Sequence, residues 1–134
     1  MTVGDIMGAL ITAKCEKCDY KRDLFVGGGM MDWNWKSFIQ LLPKDKQAEM
    51  RLDMENGGTN AAVIRKPCIC TRCGNIYASA VVSYKLGKRK KQLTDNCPDC
   101  GSSQKTFLPE DGSYKLSCPD CGGDIEYKQT GFWD

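Results

Sequence analysis

Four Cys-x-x-Cys pairs constrain this chain more than any other feature: Cys15/Cys18, Cys70/Cys73, Cys97/Cys100 and Cys118/Cys121. Two residues between cysteines let both sulfurs leave a tight turn on one side, so each pair offers two of the four soft ligands a tetrahedral ion takes. The last two pairs read Cys97-Pro98-Asp99-Cys100-Gly101 and Cys118-Pro119-Asp120-Cys121-Gly122, with seventeen residues (101–117) between them. That spacing falls within the range that marks zinc sites. Glycine after the second cysteine suits a backbone that reverses with φ > 0. The sequence has no histidine, so any such site is all-cysteine. Eight thiolates are enough for two Zn²⁺ per chain, in closed structural sites with no open position.

Composition supports metal as a staple. Of the 134 residues 41% are hydrophobic, but nine of those are cysteines, which leaves a thin apolar core for one or two small domains. The absence of histidine also excludes His-based acid–base or nucleophilic catalysis. Each four-thiolate zinc centre carries −2, so two of them take the formal charge of +2 down by four, to −2. A basic isoelectric point therefore says nothing in favour of nucleic acid. The adjacent pairs and the lack of a basic, then long apolar, N-terminus argue against a secreted disulfide scaffold. No apolar run approaches membrane length. The expectation is a reduced, cytoplasmic protein with no membrane contact.

Along the chain, 9–14 reads as a strand entering the first turn and 20–26 as the returning strand. Gly27-Gly28-Gly29 is expected to break regular structure. Asp32 can cap a helix over 33–42, and Pro43 can start a second over 43–55, with a thin apolar stripe of Ala48, Leu52 and Met54 that is expected on the surface. Ile76 to Leu86 is the longest strand candidate, with both faces partly covered. Lys85 to Lys91 carries five positive charges on a loop or hairpin tip, and Asp111-Gly112 is a hairpin signal. Four turns can make two sites in three ways. The expected one is sequential: Cys15/Cys18 with Cys70/Cys73, closing over 51 residues (19–69), and Cys97/Cys100 with Cys118/Cys121, closing a short hairpin. The alternative is nested, with the two inner turns paired across 23 residues (74–96) and the outer turns meeting over nearly the whole chain. The sequential arrangement gives a small metal-bound α+β fold. It comprises an N-terminal zinc ribbon over 1–91 with a helical insertion at about 32–56, and a C-terminal zinc ribbon over 92–134, both of short antiparallel strands.

The run Lys14-Cys15-Glu16-Lys17-Cys18-Asp19-Tyr20, then Leu24-Phe25-Val26-Gly27-Gly28-Gly29-Met30, resembles the opening of small, largely uncharacterised bacterial zinc-ribbon proteins. So do Cys70-Thr71-Arg72-Cys73-Gly74-Asn75, the two further turns and the closing Trp133-Asp134. Asp19 stands where that family usually has glycine, and the third quarter is short. The resemblance implies zinc and the sequential pairing, and brings no activity with it.

Cys68 is the ninth thiol, with three roles open to it: a buried apolar residue, a spare ligand or a reactive thiol beside the metal. Trp33, Trp35, Phe38, Phe132 and Trp133 are expected to form a packing cluster. Three function classes are then open. The first is a non-enzymatic zinc protein acting as an interaction or adaptor module for a protein partner. The second is a nucleic-acid-binding ribbon, related to transcription or translation, that uses Lys85, Lys88, Arg89, Lys90 and Lys91 on phosphates. The third is a rubredoxin-like redox protein with iron in a four-cysteine site.

Overall fold

The computed structural model describes residues 8–31, 35–37, 39–109 and 115–133. They form β1 (Gly8–Cys15), β2 (Lys21–Met31), α1 (Lys44–Glu55), β3 (Thr59–Cys70), β4 (Ile76–Leu86), β5 (Arg89–Thr94), β6 (Lys105–Phe107), β7 (Leu116–Ser117) and β8 (Asp124–Trp133). Seven strands lie in the order β5-β4-β3-β2-β1-β8-β7, and β6 pairs with β3. All pairings are antiparallel.

This corrects the expected fold of two ribbons with a helical insertion in the first. One sheet holds strands from both sides of residue 91, and the helical residues connect β2 to β3 instead of interrupting a ribbon. Within 35–55 they are two short 3-10 turns, Trp35–Ser37 and Ile39–Leu41, followed by α1. The expected cap at Asp32, the residues Trp33 and Phe38, the Asp111-Gly112 bend and the side chains of Phe132 and Trp133 lie outside the described residues.

Strand alternation explains the core. Ala9, Ile11, Ala13 and Cys15 share one face of β1, and the register sets Ile11 opposite Leu24 on β2 and Ala13 opposite Tyr127 on β8. Ile76 of β4 packs in the same cluster as Ile11, Leu24 and Tyr127. Strands three and four positions apart meet there because the sheet curls over this face. Farther along that face Val82 and Tyr84 join Ile39, Leu42, Met50 and Leu93 in a second cluster beneath α1. On the opposite face Tyr77 packs against Cys68, Cys70 and Cys97. Both faces of β4 are thus covered, as its apolar run predicts.

Two local expectations change. The triple glycine does not end β2; Gly27 takes φ 81°, and the β2–β3 register slips between Gly27 and Met30, so the glycines form an irregularity inside the strand. Helix α1 begins after Pro43, whose φ of −60° suits that position. It docks through Met50 and Asp53, while Leu52 is 60% exposed and Ala48 also faces solvent. The carboxylate of Asp53 accepts hydrogen bonds from the Tyr84 hydroxyl at 2.5 Å and from Lys91 Nζ at 2.6 Å. Lys91 also pairs with Glu49 at 2.7 Å.

Candidate metal centres

Every Cys-x-x-Cys pair sits on a turn at the same end of the sheet: between β1 and β2, β3 and β4, β5 and β6, and β7 and β8. The turns share one hydrogen-bond pattern. The first cysteine's N–H donates to the carbonyl five residues on, Cys15 to Tyr20, Cys70 to Asn75, Cys97 to Ser102 and Cys118 to Gly123, at 2.7–2.9 Å. In three turns a glycine at φ 75–80° donates back to the first cysteine's carbonyl at 2.9 Å; these are Gly74, Gly101 and Gly122. Only glycine adopts that conformation without strain. Asp19 occupies the corresponding position in the first turn and is not at positive φ.

The sulfurs gather into two groups of four: Cys15, Cys18, Cys118 and Cys121, and Cys70, Cys73, Cys97 and Cys100. The sequential pairing is therefore corrected to the nested one. The physical reason is β8. It lies along β1 for most of its length, with Cys15 opposite Ile125, and this brings the last turn beside the first. The inner pair meets because β3 is flanked by β4 on one side and by β6 on the other, which carries the third turn to the second.

The geometry fits one ion per group. Within each group all four sulfurs lie within 4.8 Å of one another. Cys15–Cys121 and Cys70–Cys100 are 3.5 Å apart, and Cys18–Cys118 and Cys73–Cys97 are 3.6 Å apart. A tetrahedron with zinc–sulfur bonds of about 2.3 Å has edges of about 3.8 Å, whereas a disulfide would need about 2.05 Å. Backbone amides point at the sulfurs as they do around thiolates. Lys17 and Cys18 donate to Cys15 Sγ at 3.3 and 3.4 Å, Asp120 donates to Cys118 Sγ at 3.4 Å, and Gly123 donates to Cys121 Sγ at 3.4 Å. The Lys17 amide is the main reason the Cys15 thiol falls to about 7. Burial opposes ionisation at Cys70, but the amides of Cys73 and Arg72 and the Cys100 thiol outweigh it and bring that thiol to about 6.

The two centres are joined. The Tyr20 hydroxyl, two residues past Cys18, donates to Asn75 Oδ1 at 3.3 Å and accepts from the Ile76 amide at 3.2 Å. The Asn75 side chain in turn points its Nδ2 at Cys97 Sγ, 3.9 Å away. A Cβ on Gly74 would stand 3.2 Å from Pro119 Cβ, so a turn of one centre packs directly on a turn of the other. Sequence reasoning took Tyr20 for a strand residue and did not single out Asn75. The signal available was a side chain able to hydrogen-bond just beyond the closing position of the first two turns, Tyr20 and Asn75.

Cys68 belongs to neither group. It is fully buried, faces Tyr77 across the β3–β4 ladder, and burial pushes its thiol up to about 11, which fits the buried apolar role. Among the basic candidates, Lys85, Lys88, Arg89 and Lys90 are exposed at the tip of the β4–β5 hairpin. Lys91 is not with them, since Asp53 and Glu49 engage it. No helix of the described residues is long and apolar enough to cross a membrane. Comparison with known family models, with curated proteins and with solved structures gives no match.

Proposed function

We propose that the chain is a non-enzymatic protein that holds two zinc ions in structural four-cysteine sites and serves as an interaction or adaptor module for a protein partner. The observation behind this is that each group of four sulfurs supplies a full tetrahedral shell from the protein alone. A closed shell leaves no position for a substrate or a reactive water. Both shells clamp strand ends, so that bound metal would staple a thin core. Native mass spectrometry and elemental analysis of freshly purified protein test the metal: two zinc ions per chain and one free thiol are expected. A red, iron-containing protein, a single ion, or disulfides would contradict it. The adaptor role is tested by isolating a complex from the native cell and rebuilding it from purified components; failure of the rebuilt complex contradicts that half.

A second reading, nucleic-acid binding, is favoured by one specific feature. Lys85 lies directly opposite Lys90 in the β4–β5 ladder, with Lys88 and Arg89 beside them, and none of the four makes an ion pair among the described residues. Like charges directly opposed in a sheet are destabilising, and a phosphate between them would relieve that. Changing these four residues to Glu should abolish salt-sensitive retention on RNA; the same retention in both proteins removes this reading.

A further inference from the structure

The cleft where β2 and β3 part company holds an arginine whose side chain has no partner among the described residues. Next to β3, β2 ends its pairing at Gly27 and Arg65, and from Cys68 onward β3 takes β6 instead. Pro67 stands at the changeover and has no N–H to offer either neighbour. The resulting cleft has a volume of about 300 Å³; Arg22, Arg65 and the carboxylates Asp23 and Asp99 line it together with apolar residues such as Leu24 and Ala78.

Arg65 is unusual in this setting. It lies opposite Ala80, on the face of the sheet that also carries Ile76, Ala78 and Val82, and so stands between the two apolar clusters of the core. It is half-buried, and its side chain makes no hydrogen bond or ion pair among the described residues. A guanidinium stays charged at any physiological pH, and holding it beside apolar groups without a partner is costly. Arg22, across the cleft, lies over the Tyr20 ring at 4.5 Å and donates from Nη1 to the Lys21 carbonyl at 3.0 Å. Its Nη2 stands 4.0 Å from the exposed carboxylate of Asp99, so that arm of the fork is only loosely engaged. Phe25, at 51% exposure, offers an apolar surface at the rim.

We propose that this cleft binds a small ligand with an oxyanion head and a short apolar body. The head sits on Arg65 with Arg22 beside it, because a planar fork matches a carboxylate or phosphate through two parallel hydrogen bonds. The body lies along Leu24, Phe25 and Ala78. Asn75 and the Pro98-Asp99 turn of the inner metal centre form one wall of the cleft, but no cysteine lines it, so the ligand would bind beside that centre and not on it.

The test is an NMR titration of the metal-loaded protein, observing the arginine Nε–Hε groups, with 4-phenylbutyrate as the head-plus-body probe and inorganic phosphate as the head alone. Saturable shifts of Arg65 with phenylbutyrate, reversed competitively by phosphate, are expected, with a Kd on the order of 1 mM. Arg65→Gln should weaken phenylbutyrate by about tenfold or more while retaining both metals, and Arg51→Gln on the exposed side of α1 should leave it unchanged. Phe25→Ala, a change at an exposed position, should weaken phenylbutyrate and spare phosphate. Absence of saturation below about 10 mM, or phenylbutyrate binding unchanged in either Arg65→Gln or Phe25→Ala, overturns the proposal.

Discussion

Cys15 and Cys121 are 106 positions apart in the chain, and their sulfurs are 3.5 Å apart. With Cys18 and Cys118 they join the turn after β1 to the turn before β8, two neighbouring strands from distant parts of the chain, while the inner four cysteines join the turns after β3 and β5. The four turns stand side by side at one end of the sheet, so the two centres, nested in sequence, are neighbours in space.

This nesting sets what a single ligand loss does. Structural zinc contributes roughly 10–16 kcal/mol of apparent binding energy, as much as a whole domain's stability of about 5–15 kcal/mol. Cys118→Ser should therefore remove hydrogen-exchange protection from 15–20 and from β1 and β8 together, while the β3–β4 hairpin, held by the other centre, keeps more of its own. Protection retained at 15–20 would contradict the outer pairing.

The bridge between centres predicts an asymmetric effect. Asn75→Ala removes the group between the Tyr20 hydroxyl and Cys97 Sγ and leaves that hydroxyl without its acceptor. Residues that orient metal ligands are typically worth about 10- to 100-fold in metal affinity. In a chelator competition one ion should leave at correspondingly lower chelator concentration, and the other close to its normal point. Two ions leaving as in the parent protein would show that the bridge has no influence.

Asp53 joins α1 to the β4–β5 hairpin. The hydrogen bond from Lys91, with that from Tyr84 next, holds its carboxyl below the usual carboxylate range. Its unfolded value is about 3.9. The folded value is lower, so the stabilisation is fully present above about 3.9 and is lost as pH falls through the lowered value. Carboxyl-carbon NMR should show Asp53 still ionised while exposed carboxylates titrate, and Lys91→Met should move its titration upward. At neutral pH Asp53→Ala should cost about 2 kcal/mol, the scale of hydrogen bonds to a charged group, read as a fall in Tm. An unshifted Asp53 titration together with an unchanged Tm would contradict this role.

The ligands were legible in the sequence because each turn is local: two cysteines, the intervening pair and, in three of the four, a following glycine specify it without help from the rest of the chain. The strand Ile76–Leu86 was legible for the same reason. Which turn meets which was not, because it depends on β8 lying along β1, a contact that no short window contains. Loop closure favours near pairs only weakly, so the short hairpin between Cys100 and Cys118 was a poor guide. The docking of α1 was hidden differently. Its buried side presents Met50 and an aspartate, and a buried Asp53 looks like any surface carboxylate until Lys91 and Tyr84 are seen opposite it.

Cadmium substitution tests the nested pairing most directly. Exchange of both ions for ¹¹³Cd²⁺ and correlation of each cadmium resonance with cysteine β-protons reports which sulfurs share an ion. Two resonances are predicted, one coupled to Cys15, Cys18, Cys118 and Cys121 and the other to Cys70, Cys73, Cys97 and Cys100. A cadmium coupled to both Cys15 and Cys70 would contradict the account.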